Sequence, residues 1–463
     1  MFVNDRVDIA LAVGATGVHL GQSDMPVSTA RKLLELGHPE SPCLIGVTVH
    51  DMEEAKRAVL DGVDYVGIAA VWDTKTKDLA RPAVGVRGVG DVLDIVGDAG
   101  IPAVAIGGIK VHNALHTLHG AVGPITGTGL SGLAIVTEIV GAPDASVPAK
   151  ALTKIIHSRS KHLHWPTLCL PANTFPSAAL LAENAGSLLT ALRERSPLVH
   201  QITNNVVIAQ SANATLALGA SPIMATAPEE MEDLGKVAGG LLVNFGTITN
   251  KAGMLVAGKA ANANKKPVVF DPVGVGATQF RRETANKLLN SWQVSVIKGN
   301  AGEIGTLLGS SEVAARGVDS TGPGFSDPAN IVRTLAKRER CIVVMTGKTD
   351  YISDGYTTVA LSNGHSMLGE ITGSGCMVGT AITAFAAAAR LVAPETAEDQ
   401  GKLVQGDMFQ AAVAGVLAIT IASEIAAARP DVKGTGTFAS ALIDELYNLK
   451  PQTIADRAMV EIL

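Results

Sequence analysis

The stretch Ile371-Thr372-Gly373-Ser374-Gly375-Cys376-Met377-Val378-Gly379-Thr380 decides the fold of the second half of the chain. Its alternating glycines run into an Ala-rich segment, 381–391, that is almost free of Gly and Pro and predicts a buried helix. The backbone N–H groups of Gly373, Ser374 and Gly375 then sit at a helix N-terminus, an anion hole suited to a phosphoryl group in transfer. Cys376 falls in the first turn, where the helix dipole favours a thiolate. The plainer alternative is a tight turn followed by a buried cysteine.

Outward from this stretch, short apolar runs alternate with helical segments. Strands are predicted at 198–203, 240–244, 267–271, 294–298 and 341–346, and a second buried helix at 411–428. Continuous apolar strands separated by helices imply a parallel sheet. Two of these strands lead to acidic residues: Asp271 in PVVFDPVGVG, and Glu303 in KGNAGE. Each can hold Mg²⁺ through water, as metal-nucleotide sites do. No GxxxxGK[ST] occurs, so a P-loop enzyme is excluded.

Residues 1 to about 145 repeat the βα pattern. The runs at 2–4, 17–21, 44–49, 65–70, 102–107 and 133–137 make six units, where a closed (β/α)8 barrel has eight. The expected architecture is a TIM-type barrel, N-terminally truncated, whose first two units would lie upstream of Met1. In such a barrel chemistry gathers at the carboxyl ends of the strands. Read in order, those ends give Asn4-Asp5, Gln22-Ser23-Asp24, Thr48, Thr74-Lys75-Thr76-Lys77, Gly107-Gly108 and Val136-Thr137. Asp5 and Asp24 can reach one Mg²⁺, and the glycine and Val136-Thr137 turns can bind phosphate on backbone N–H groups. Residues 146–185, rich in Pro, Ser and basic side chains, read as a linker, so the second domain is expected over 186–463.

The remaining features narrow the class. A chain of 463 residues allows two or three domains. With 47% hydrophobic and 17% charged residues, disorder is excluded for most of it. A net charge of −6 gives no basic footprint for nucleic acid. The four cysteines form no CxxC pair, which fits a reducing, cytoplasmic setting. The opening MFVNDRVDIA is no signal peptide, and the apolar run 381–391 is short of the roughly 20 residues a membrane span needs. Gly127–Gly132 matches GxGxxG without a clean preceding strand, so dinucleotide binding is rejected. His112, His116 and His119 share one helical face, read as exposed rather than metal-binding.

Two resemblances add to these readings. NDRVDIALAVGATGVHLGQSDMP, IGVTVH, TKTKD and VAIGGI resemble thiamine phosphate synthase over about residues 2–140. This implies a TIM barrel that joins hydroxymethylpyrimidine diphosphate to thiazole phosphate. Asp5 and Asp24 would bind Mg²⁺, Asn4, Thr48 and Lys77 the pyrimidine diphosphate, and Thr74, Thr76, Gly108 and the Val136-Thr137 turn the thiazole phosphate. TGSGC, the NAGE motif and DPVGVGAT resemble the ribokinase-like superfamily. HQITNNVV, ASPIMATAPEE and MTGKTD resemble hydroxyethylthiazole kinase in particular, over about 190–440.

The second resemblance implies ATP-dependent phosphorylation of 4-methyl-5-(2-hydroxyethyl)thiazole. Met224 and Gly373 would contact the thiazole with Asn204 near it, and Lys298 and Thr346 would contact ATP. Asp271 and Glu303 would organise Mg²⁺, and Cys376 would stand beside the substrate hydroxyl as a catalytic group. A homo-oligomer, trimer or hexamer, is implied as well, with small molecules rather than nucleic acid or membrane as partners. Synthase followed by kinase resembles the fungal bifunctional thiamine-biosynthesis enzymes. Two alternatives stay open: a hydroxymethylpyrimidine-type kinase, and a kinase whose N-terminal half is a catalytically silent assembly module.

Overall fold

The computed structural model describes residues 1–37, 43–74, 81–159, 177–310, 312, 314–316, 319–321, 324–394 and 402–463. The chain divides into two compact units, Met1–Leu163 and His164–Leu463.

The first unit carries all six anticipated strands: β1 (Phe2–Asn4), β2 (Gly17–Leu20), β3 (Leu44–Val49), β4 (Tyr65–Ile68), β5 (Ala103–Ile106) and β6 (Gly132–Ala134). They pair in parallel in chain order, with β1 and β6 at the edges. Alternate side chains serve different faces because the strand period is two. Val18, Leu20, Ile45, Val47, Val49, Val66, Ile68 and Ala105 are buried in the core shared with the helices. The other parity carries His19, Thr48 and Tyr65, which meet through their side chains. Glycines leave room for the aromatic rings: a Cβ at Gly46 would overlap the Tyr65 ring, and one at Gly17 would overlap Phe2 and lie 2.8 Å from the Leu44 carbonyl.

Two expectations need correction here. The 146–185 segment is not featureless linker, because Ser146–Arg159 is a helix and a second helix begins at Ala178. Pro148 hid the first of these, yet proline is tolerated in a first turn, where its missing N–H would have had no partner. The His112–His119 face is not uniformly exposed either. His116 is buried with its ring 5.3 Å from that of Trp72, and burial pushes its pKa down to about 4. No group of three or more metal-ligating side chains forms among the described residues.

The second unit is a three-layer α/β structure. Its strands are β7 (Leu198–Ile202), β8 (Ser221–Ile223), β9 (Gly240–Asn244), β10 (Val268–Asp271), β11 (Val296–Asn300), β12 (Ala314–Arg316), β13 (Asp319–Thr321), β14 (Ile342–Thr346), β15 (Asp350–Ser353), β16 (Thr358–Leu361) and β17 (Val460–Ile462). Nine form one sheet in the order β17-β16-β15-β14-β11-β10-β9-β7-β8, and among the described residues β12 pairs with β13 alone. The five strands predicted from sequence are its parallel heart, while β15, β16 and β17 add an antiparallel edge.

Leu242, Val269, Val296 and Val344 belong to one hydrophobic core, with the helices Ala178–Arg195, Ser374–Val392 and Met408–Ala427. Val243, Phe270, Ile297 and Val343 belong to a second core on the other face, with Lys251–Ala263 and Pro328–Glu339. Ser374–Val392 and Met408–Ala427 are long and apolar enough to cross a membrane by length and composition, but most of each is buried in this unit. They pack so closely that a Cβ at Gly415 would lie 2.6 Å from the Ile382 backbone.

Candidate active site

Parallel strands end on the same side of a sheet, so the residues at or just after those ends converge. In the second unit these are Asn204 after β7, Met224 after β8, Asn244 ending β9, Asp271 ending β10, Asn300 ending β11 and Thr346 ending β14. The registers set Asn244 beside Asp271, and Asn300 beside Thr346. The helix Ser374–Val392 starts against this row. Its N-cap, Gly373, has φ +83°, and a Cβ there would collide with Val207 and Gln210. No side chain caps this helix start, and the amides of a first helical turn have no partner within the helix.

Asp271 and Lys298 form a fully buried ion pair, with Nζ 3.4 Å from each carboxylate oxygen. Burial works against the Lys298 ammonium. Asp271, Glu303 and Cys376 around it outweigh that cost, so its pKa is raised. Burial likewise raises Asp271, opposed by Lys298 and by a hydrogen bond from Asn244. Glu303 caps its own helix: Oε2 accepts from the Asn300 N–H at 2.8 Å, and Oε1 accepts from Gly274 at 2.8 Å. Burial pushes its pKa up to about 7. Thr346 Oγ1 lies 3.4 Å from the Gly299 carbonyl, and the following turn is closed by Gly347 N–H donating to Asp350 at 3.0 Å.

Cys376 Sγ accepts from Asn244 Nδ2 at 3.2 Å and from Asn204 Nδ2 at 3.6 Å. The thiolate anticipated from the helix dipole is not what this environment favours. Burial, with Asp271 nearby, pushes the thiol pKa up, and Lys298 and the two amides only partly oppose this.

Of the residues singled out from sequence for the kinase half, Asn204, Asp271, Lys298, Glu303, Gly373 and Cys376 form one cluster. Thr346 stands on the neighbouring strand. Met224 lies half-buried at the far edge, beyond β9 and β7. Sequence reasoning missed Asn244, Asp350 and Arg281. Arg281 ties the carbonyls of Phe245, Val273 and Gly246 together. Asn244 ends the apolar run GLLVN, the same strand-end signal that marked Asp271.

In the first unit, His19 Nε2 lies 2.8 Å from Thr48 Oγ1 and Nδ1 2.9 Å from Tyr65 Oη. Burial lowers the His19 pKa, while Asp5 and Asp24 both act on it from nearby in the opposite sense. Asp5 has φ +64° and donates its N–H to the His19 carbonyl, and Asp24 Oδ2 accepts from Gly21 at 2.6 Å. Asn4 ends β1, Thr74 is half-buried, Gly108 packs on Trp72 and Asp73 at φ +66°, and Val136 leads into the one-turn helix Thr137–Val140. Thr76 and Lys77 lie outside the described residues. His19 was missed, although a polar residue within the strand GVHL was a visible signal.

A strand-end carboxylate paired with a buried lysine, beneath a glycine-led helix start and without a P-loop, defines a small-molecule kinase of the α/β class. Residues 189–452 match the hydroxyethylthiazole kinase family, and residues 1–139 match thiamine monophosphate synthase. The "Probable thiamine biosynthetic bifunctional enzyme" of Schizosaccharomyces pombe is 34% identical over 461 residues, 98% of this chain and 83% of that protein. The "Hydroxyethylthiazole kinase" of Histophilus somni is 44% identical over 274 residues, 59% of this chain and 97% of that one. A solved hydroxyethylthiazole kinase from Pyrococcus horikoshii OT3 superposes with TM-score 0.52 at 37% identity, covering 60% of this chain and 98% of its own. The chain belongs to the family of bifunctional thiamine-biosynthetic enzymes, with a thiamine-phosphate synthase region followed by a hydroxyethylthiazole kinase region.

Proposed function

We propose that the second unit transfers the γ-phosphoryl group of ATP to the hydroxyl of 4-methyl-5-(2-hydroxyethyl)thiazole. The first unit then joins the resulting thiazole phosphate to hydroxymethylpyrimidine diphosphate, giving thiamine phosphate and pyrophosphate. The observation that carries the kinase assignment is the buried cluster of Asp271, Lys298, Asn204 and Cys376 under the Gly373 helix start. In this reading Met224, Gly373 and Asn204 face the thiazole, and Lys298 and Thr346 serve ATP. The amides of Gly373, Ser374 and Gly375 receive the charge that develops on the phosphoryl oxygens. Asn4, Thr48, Thr74, Thr76, Lys77, Gly108, Val136 and Thr137 bind the two phosphorylated precursors in the first unit.

Mg²⁺ belongs to this reading too. Asp271 and Glu303 offer the hard oxygens it prefers, and both Glu303 oxygens already accept backbone N–H bonds. The pair therefore fits an ion held through its own waters. Asp5 and Asp24, at the ends of adjacent strands, would serve the synthase in the same way. The ion supplies charge neutralisation across the phosphates, and the chain supplies position. Glu303→Gln is expected to keep the helix cap partly intact, lower kcat and move the Mg²⁺ titration to higher concentration. An unchanged titration with full activity removes Glu303 from the metal site.

Cys376 acts chiefly by placing the acceptor hydroxyl, because phosphoryl transfer depends on positioning and charge stabilisation, and general-base help adds only about 10²–10⁴-fold. Cys376→Ala is expected to leave measurable turnover, and Cys376→Asp to work as a base. A substrate-linked Cys376 in trapped enzyme contradicts this role.

An assembly of copies, trimer or hexamer, fits the apolar Val206 and Leu216 side chains, exposed at 68% and 56%. The unpaired, buried Cys43, Cys341 and Cys376 fit a reducing cytoplasm. The deciding assay offers purified protein the thiazole or hydroxymethylpyrimidine with Mg-ATP, and separately the two phosphorylated precursors. Turnover of the pyrimidine alcohol without the thiazole overturns the kinase reading. A kinase that forms no thiamine phosphate leaves the first unit as an assembly module.

A further inference from the structure

Asn244 holds four hydrogen bonds inside the cluster. Its Nδ2 donates to Asp271 Oδ2 at 2.9 Å and to Cys376 Sγ at 3.2 Å. Its Oδ1 accepts from Asn204 Nδ2 at 2.9 Å and from the Gly246 N–H at 3.1 Å. The amide is fully buried, and these four bonds use both its donors and both acceptor positions. Its orientation is fixed chemically: turned over, its NH₂ would face two other donors and its carbonyl would face the Asp271 carboxylate. The neighbours are constrained in turn, because Asn204 Oδ1 accepts from Val206 N–H at 3.1 Å and Asp271 holds Lys298.

We propose that Asn244 is the positioning residue of the kinase site, whose two N–H donors set Asp271 and Cys376 at a fixed separation while its carbonyl aims Asn204. This rests on the kinase reading above. Without those donors the carboxylate keeps Lys298 and the sulfur keeps Asn204, but no single group bridges the two and fixes their separation. Asn204 would also lose the partner that aims its NH₂ at Cys376. The residue touches no reacting atom and acts through Cys376, Asp271 and Asn204.

The test compares wild type, Asn244→Ala and the isosteric Asn244→Asp, each alone and with Cys376→Ala, using whichever acceptor alcohol the wild-type chain phosphorylates. A wild type inactive on the thiazole thus counts against the substrate assignment, and the comparison among variants against Asn244. Loss of hydrogen bonds to a charged partner should lower kcat about tenfold or more, with KM for both substrates within about threefold. Asn244→Asp, which keeps the shape but cannot donate to Asp271 and Cys376 together and sets a second acid against Asp271, should be impaired as well. In the Cys376→Ala background the cost of Asn244→Ala should shrink, since part of what Asn244 positions is gone. Wild-type kcat in Asn244→Asp overturns the proposal, as does an effect confined to KM, or an equal fold-loss in both backgrounds. Should Asn244→Ala fail to fold, Asn244→Ser carries the same comparison.

Discussion

A polypeptide spanning residues 177–463 is expected to fold and to phosphorylate hydroxyethylthiazole, whereas one starting at Gly186 loses most of its stability. The helix Ala178–Arg195 is part of the kinase core. Leu181, Ala182 and Ala185 are buried within it, and Leu189 and Leu192 continue the same face. Starting at Gly186 removes the first three together with the Ser177 cap, whose Oγ accepts from Leu180 N–H at 3.1 Å. It also strips a partner from the interior, because Gln410 Nε2 donates to the Leu181 carbonyl at 2.8 Å in a wholly buried setting. Deleting one buried leucine costs about 2–5 kcal/mol, and orphaning a buried amide about 1–3 kcal/mol. Set against a total of about 5–15 kcal/mol for a domain, that is decisive. Urea unfolding of the two polypeptides, with kinase assays on each, makes the check. Equal midpoints would show that the first turns of this helix are dispensable.

That boundary also shows where sequence reading stops. Most parallel strands are legible because they read as short, nearly unbroken apolar runs: all six in the first unit and five in the second stand where those runs lie, while the short edge strand β8 does not announce itself. The helix from Ala178 was hidden by its approach: LPANTFPS reads as linker, and that composition was extended to 185 across residues the core requires. The antiparallel edge was missed for a different reason. Strand β17 joins β16 from the far end of the chain, about a hundred residues away in sequence. No local pattern encodes such a pairing.

The site divides in the same way. Strand-end carboxylates and the glycine-led helix start are local features, so Asp271, Glu303 and Gly373 could be read directly. The ionisation of Cys376 could not. Its position in a first helical turn favours a thiolate, but the structure buries it beside the Asp271 carboxylate, and both push the thiol pKa up. Asn244 ends the run GLLVN and so carries the strand-end signal, but that signal does not show that four partners converge on its one amide.

The charge at the centre of the cluster gives the other large effect. Lys298→Met is expected to lower kcat by about 10²–10³, the usual cost of removing one group that stabilises developing charge. The same change should destabilise the second unit by about 3–5 kcal/mol, because Asp271 is then a carboxylate with no exposure and no cation. Burial already works against the Asp271 carboxylate, and this variant removes Lys298, the cation that opposes it most. Lys298→Arg keeps the charge but must place a planar fork where a point charge fits, so an intermediate loss is expected. The informative variant is the double, Lys298→Met with Asp271→Asn. Removing both charges relieves the unpaired carboxylate, so thermal stability should recover towards wild type, while turnover stays low because both the cation and the candidate metal ligand are gone. Wild-type stability in Lys298→Met, or restored turnover in the double variant, would mean that the buried pair is neither the electrostatic centre of the site nor part of its chemistry.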